Sequence, residues 1–179
     1  MSTVSSIKER RSIRKFTKQS VAHELMAQIV ETASYSPSWK NSQVVRYICV
    51  EGSLKDTIAA ECTSTYPSNG SIIAGAPMLV VIAVQKNRCG YERDGSFSTS
   101  RKDSWQMFDA GIASQSFCLA AHDAGIGSVV LGIFDEIKVS SLLELPDTME
   151  TVALIPVGYP DETPVAPKRK TVTELLSFK

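Results

Sequence analysis

The sequence is poor in the residues on which most catalytic and metal-binding schemes rest. It has two histidines, His23 and His122, too few for a histidine-based metal centre. The four cysteines, Cys49, Cys62, Cys89 and Cys118, are widely spaced and contain no C-x-x-C. That spacing argues against a paired redox thiol and sets the expectation of a reducing, cytoplasmic location. Cys49 and Cys118 lie among apolar neighbours and read as buried, Cys62 and Cys89 as more exposed. Charge of one sign is also missing: 19 basic side chains balance 19 acidic ones. A broad footprint for nucleic acid is therefore not expected.

Long apolar runs are lacking too. The longest, Met78 to Val84, falls far short of the ~20 residues of a membrane-spanning helix and reads as a buried strand. Met1 to Lys8 carries no apolar stretch, so neither a secretory leader nor a membrane anchor is expected. No G-x-S-x-G elbow and no G-x-x-x-x-G-K-S/T loop occurs. Gly125-Ile126-Gly127 is not a dinucleotide fingerprint, because Val130 stands at the third glycine position and the helix precedes the motif. With little acid–base or nucleophilic machinery, any reaction would have to be carried by a cofactor.

What is present is a mixture of helix and strand periods over 179 residues, the size of one domain or of one subunit of an intertwined oligomer. Helices are expected over about 3–9, 21–35 with Ser20 as N-cap, 53–62 with Ser53 as N-cap, 105–124, 135–143 and 172–176. Strands are expected over 44–51, 78–85, 128–131 and 151–156. Tyr66 to Pro77 reads as a Gly/Pro/Ser-rich connection, and Lys86 to Asp103 as a functional lid or mobile loop. The strict β-α-β rhythm is absent, so the class is α+β. The longest helix has a small-residue face (Ala110, Ala113, Ser114, Ala120, Ala121, Ala124), suited to a central position or a subunit contact.

Four constellations stand out. Arg10-Arg11-Ser12-Ile13-Arg14 puts three guanidinium forks and a hydroxyl within five residues, a set that matches phosphate oxygens. The same cluster also reads as the solvated basic end of the first helix, the commoner arrangement. Ser36-Pro37-Ser38-Trp39-Lys40-Asn41-Ser42-Gln43 supplies amides that both donate and accept, as a flavin's pyrimidine edge would require, or else forms an ordinary polar turn. Trp39 is available there to pack on a ligand or partner. Val130-Leu131-Gly132 follows the helix-ending glycine pair, and Gly132 allows close backbone approach. Lys168-Arg169-Lys170 either completes an anion site or is a charged tail. His122 reads as a satisfied structural histidine and His23 as exposed; Asp109, in mid-helix, is left with an arginine or solvent as its partner.

In order and spacing these segments resemble the FMN-dependent nitroreductase family over nearly the whole chain. Arg10 to Phe16 resembles its R-R-S-x-R-x-F/Y opening, and Ser36 to Gln43 its S/A-P-S-x-x-N-x-Q segment. Asp109 to Ser128 is similar to its D-x-G-x-A helix and G-x-G-S turn, and Pro156 to Pro160 with Lys168 to Lys170 to its P-x-G-Y-P and basic close. The resemblance implies one domain over 1–179, with a central mixed or antiparallel sheet flanked by helices and an intertwined homodimer. It implies FMN at the subunit interface and NAD(P)H as electron donor, with ping-pong transfer to a small acceptor such as a nitroaromatic or quinone. On that likeness Arg10, Arg11, Ser12 and Arg14 hold the phosphate and ribityl side, and Arg169 or Lys170 joins the phosphate. Ser36, Pro37, Ser38 and Asn41 come from the other subunit toward the ring and phosphate, and Gln43 also binds the cofactor. Val130, Leu131 and Gly132 lie by the reactive face, with the Gly132 N–H toward the flavin N5. Trp39-Lys40 and Val44-Val45-Arg46 depart from the family pattern where the acceptor site is shaped. That leaves a specialised role on an enone or halogenated aromatic open, alongside a non-catalytic flavin-binding or redox-sensing one. The C-terminal arm is expected to be reduced.

Overall fold

The computed structural model describes residues 2–179. At its centre is β2 (Met78–Gln85), in which Met78 through Val84 are fully buried. Antiparallel neighbours flank it: β1 (Val45–Val50) on one side and β4 (Met149–Gly158) on the other. The two-residue β3 (Gly127–Ser128) pairs with the far side of β4, giving the order β1-β2-β4-β3. The mixed-or-antiparallel expectation thus resolves to an antiparallel sheet.

Successive side chains of β2 point to opposite faces, so both faces must be covered. Met78, Val80, Ile82 and Val84 pack with Met26, Ile29 and Ala33 of α2 (His23–Ser34) and with Phe117, Cys118 and Ala121 of α5 (Ser104–Asp123). Leu79 and Val81 face α3 (Gly52–Glu61), α4 (Pro67–Gly75) and α6 (Glu136–Leu142) through Ile58, Ile73 and Val139. The helix α5 is the central one its small-residue face implied: Ala110, Ala113, Ser114 and Ala121 are buried. A Schellman motif ends it, with Gly125 N–H on the His122 carbonyl, Ile126 N–H on the Ala121 carbonyl and Gly125 at φ +76°. No described helix is long and apolar enough to cross a membrane.

Several local expectations are corrected. Buried Val21 holds the chain extended through Ala22, so α2 starts at His23 with Ala22, not Ser20, as its N-cap. Ser53 lies inside α3, whose N-cap is Glu51. The presumed connection 66–77 contains α4: Pro67 occupies its first turn, where a missing N–H costs nothing. Gly70 in α4 is a packing glycine, since a Cβ there would meet the Ala59 carbonyl oxygen at 2.5 Å. The exposed cysteine is Cys49, while Cys62, Cys89 and Cys118 are buried. His122 is not fully satisfied, because its Nε2 is buried without a hydrogen-bond partner among the described residues. His23 is exposed as expected and bonds Glu51 at 2.7 Å.

The basic cluster follows α1 (Thr3–Glu9) and is laid against the sheet edge. Ile13 N–H donates to the Ser128 carbonyl at 3.0 Å, and Ser12 bridges Ser128 in parallel. Ile13 packs so closely on Gly127 that a Cβ at that glycine would lie 2.9 Å from three Ile13 carbons. Gly127→Ala should therefore lower stability by about 1–3 kcal/mol through overpacking. In urea titrations the midpoint should fall with the slope unchanged; an unaltered midpoint would mean the contact relaxes freely.

Candidate functional site

The chain leaves α1 with the Arg10 N–H on the Ser6 carbonyl. One Arg11 nitrogen then bonds the carbonyls of Lys8 and Arg10 at 2.7 and 2.8 Å. Arg11 thus does serve the helix end, as a cation at a helix C-terminus should. Arg10 is different: its Nε is buried and has no hydrogen-bond partner among the described residues. The Arg14 backbone is fixed by Glu162, whose Oε1 accepts from the N–H groups of Arg14 and Lys15 at 2.5 and 3.2 Å. The Arg14 side chain stays exposed, with only a long 3.4 Å contact to the Ser12 carbonyl.

The proline-rich tail folds back over this segment. Pro164, Val165, Pro167 and Arg169 join Arg10, Arg11, Ser12 and Arg14 around a cavity of about 310 Å³. Four arginines and no acidic residue line it. The two basic clusters, far apart in sequence, therefore meet through Arg169, whereas Lys170 is exposed and does not line the cavity. The tail prolines and Glu162 were not singled out as site residues. The only hint was a proline-rich stretch immediately before a basic one.

A second cavity, of about 360 Å³, opens beside the amide loop and is lined by Ser36, Pro37, Ser38, Gln43, Arg46, Tyr47 and Asp109 among others. Lys40, Asn41 and Gln43 all adopt left-handed φ, at 45°, 53° and 47°, a conformation uncommon for residues with side chains. Internal bonds hold the loop: Gln43 N–H to Ser38 Oγ at 3.1 Å and Gln43 Nε2 to Asn41 Oδ1 at 3.1 Å. The larger restraint is Asp109 on α5, 3% exposed. Its Oδ2 accepts from Trp39 N–H at 2.9 Å, from Cys89 Sγ at 3.2 Å and from Ser42 Oγ at 3.5 Å. Neither an arginine nor solvent is its partner; a carboxylate accepts only, and donors from two loops surround it. Burial, then the hydrogen bond and charge of Asp109, push the Cys89 thiol up to about 12, so it remains a donor.

The half-buried Trp39 ring packs on Trp105 at 4.8 Å, with Lys40 Nζ 5.7 Å from its centroid. Lys40 pairs with Glu92 at 2.9 Å, tying the amide loop to the 86–103 segment. That segment is an ordered excursion rather than a bare lid, with a Tyr91–Phe97 bridge and its Asn87 N–H on Gln106 Oε1 at 2.8 Å. Leu131 does not fit a ligand-facing role in the single chain. Its side chain is buried, and its N–H and carbonyl both pair with Leu154, at 2.8 and 3.0 Å. Val130 and Gly132 are exposed, and among the described residues the Gly132 N–H has no partner. In one chain, then, the arginine cavity, the amide loop and the 130–132 turn form three separate groups.

The nitroreductase family model matches residues 7–71 and 65–159, and the chain belongs to that family. A relative from Methanothermobacter thermautotrophicus, named as a candidate NADH dehydrogenase/NAD(P)H nitroreductase, is 27% identical over 92% of this chain and 80% of its own length. An iodotyrosine deiodinase of Thermotoga neapolitana is 24% identical, covering 96% of each chain. A crystal structure from Desulfovibrio desulfuricans, in complex with FMN, superposes with a TM-score of 0.76 at 27% identity, over 98% of this chain and 95% of that one.

The thiols give a direct check on the packing around the loop. Burial and the nearby Glu51 raise the Cys49 thiol, so even this exposed cysteine should react slowly. A thiol-specific chromogenic reagent should modify Cys49 alone in the native protein and reach the other three only on unfolding. Rapid native labelling of a Cys49→Ser/Cys62→Ser/Cys118→Ser variant would show that the Cys89–Asp109 contact is open.

Proposed function

We propose that this chain is an FMN-dependent NAD(P)H oxidoreductase that passes reducing equivalents to a small organic acceptor, such as a nitroaromatic or quinone. The observation that carries this reading is the cavity with four arginines and no acid. A phosphate monoester brings about −1.5 to −2 charges at neutral pH and three acceptor oxygens. The partnerless buried Nε of Arg10 is a donor that such an oxygen would satisfy. Arg10, Ser12, Arg14 and Arg169 are assigned to phosphate binding, while Arg11 contributes field more than contact, since one of its nitrogens already serves the helix end. Lys170 adds charge from the exposed tail.

The functional unit in this reading is a homodimer. The amide loop and the arginine cavity open separately in one chain. A second copy would bring its Ser36, Pro37, Ser38, Asn41 and Gln43 toward the ring of a flavin held by the first. Apolar side chains support such a contact, with Phe108 at 59% exposure on α5 and Leu175 and Phe178 at 70% and 89% in the tail. The free N–H of Gly132 is a donor for the ring edge, and the exposed Val130 provides an apolar surface beside it. When bound, FMN supplies the two-electron chemistry that no side-chain set in this sequence offers. The protein's part is to anchor the phosphate, orient the ring and keep positive charge close by.

A second reading is favoured by the full-length similarity to an iodotyrosine deiodinase: reductive removal of halogen from an aromatic ring. An acceptor screen under NADH or NADPH, with nitroaromatic, quinone, enone and halogenated phenol arms, separates the two. The purified protein should carry or take up FMN, and NAD(P)H should bleach the bound flavin under anaerobic conditions. Bound flavin that NAD(P)H cannot bleach would leave a flavin-binding protein and remove the enzyme. Arg14→Ala combined with Arg169→Ala should strip FMN while far-ultraviolet circular dichroism stays unchanged; retained flavin would show that the phosphate lies elsewhere.

A further inference from the structure

We infer that Asp109 is a positioning residue for the flavin ring, acting through the backbone of the Ser38–Gln43 loop. The inference rests on the FMN reading above. Asp109 is buried at the floor of the cavity that Ser36, Pro37, Ser38 and Gln43 line. The single oxygen Oδ2 takes the Trp39 N–H at 2.9 Å and lies 3.5 Å from the Ser42 hydroxyl, so it grips the loop on both sides of Lys40 and Asn41. Those two residues and Gln43 stand in left-handed backbone geometry, which persists only where the surroundings enforce it.

The loop's other bonds are local and exposed: they join Gln43 to Ser38, to Asn41 and, through its carbonyl, to the Arg46 side chain at the start of β1. Lys40 to Glu92 is an exposed pair, 59% and 47% open to solvent, and exposed pairs contribute little. The Trp39–Trp105 contact fixes a ring but no backbone torsion. Asp109 is thus the buried anchor that registers the loop on α5. The Cys89 thiol at 3.2 Å puts a third donor on the same oxygen and brings the start of the 86–103 segment to that anchor. The amides of Asn41 and Gln43 are then held at a fixed orientation, the condition for reading a ring edge that both donates and accepts.

The consequence is specific to the ring. Loss of the anchor should weaken binding of FMN and of riboflavin by the same factor, because the two share the ring and differ in the phosphate. Loss of the arginines should weaken FMN alone. The experiment measures FMN and riboflavin affinities by flavin fluorescence, on wild type, Asp109→Ala, Asp109→Asn and the Arg14→Ala/Arg169→Ala pair, with a urea midpoint for each. Asp109→Ala should lose about ten-fold or more on both ligands, the size of one hydrogen bond to a charged acceptor, with the FMN-to-riboflavin ratio unchanged. Asp109→Asn, which keeps an oxygen for the Trp39 N–H, should recover part of the loss and shift the visible flavin spectrum less than the alanine variant. The arginine pair should collapse the ratio.

Wild-type affinities for both flavins in Asp109→Ala or Asp109→Asn, or a fall in the ratio for the Asp109 variants, would overturn the inference and leave the FMN reading intact. Should Asp109→Ala not fold, Asp109→Asn decides. A wild-type protein that binds no FMN would overturn both.

Discussion

The complete burial of β2 is the constraint from which the rest of the architecture follows. A strand with apolar side chains on both faces cannot lie on a surface, and Met78–Gln85 presents such faces along nearly its whole length. One face calls for α2 and α5, the other for α3, α4 and α6. The neighbouring strands run antiparallel to β2, although the helical excursions that join them, 51–77 and 86–148, are long enough for a parallel crossover. With the centre closed in this way, polar functional groups are left to the sheet's far edge and to loops. The basic segment occupies that edge, pressed onto β3 where Gly127 lets Ile13 approach.

The arginine cavity shows how context changes the meaning of a motif. Three arginines after a short helix have an ordinary explanation in its C-terminal dipole, and Arg11 meets it. Arg10 and Arg14 do not, and the tail returns to add Arg169 to them. Clustering four like charges around one cavity is unfavourable for the empty protein, since nothing acidic lines it. Such a cost fits a surface whose resting partner is an anion.

The central strand, the long helix and its glycine stop were legible because each rests on local rules: a β-branched apolar run, small residues at helical spacing, and glycine in the left-handed region. Strand ends were less legible, and β4 proved longer than its apolar centre because Met149 and Glu150 pair with β2 through backbone groups. The helix α4 was hidden by Pro67 and Gly70, residues that usually break helices but here serve as a first-turn proline and a packing contact. The basic and amide clusters were visible in the sequence. Their separation in the single chain was not, nor was Asp109's role, because a buried carboxylate is satisfied by backbone and side-chain donors far away in sequence.

The left-handed residues of the amide loop carry a consequence for how this protein can change. Glycine would adopt those torsions with no steric cost, yet Lys40, Asn41 and Gln43 occupy them. A sequence selected for stability alone would drift toward glycine there and shed the side chains. On the proposed function, positions 41 and 43 are where selection for durability and selection for activity pull in opposite directions. Laboratory evolution toward heat resistance should reach them early and lose turnover when it does.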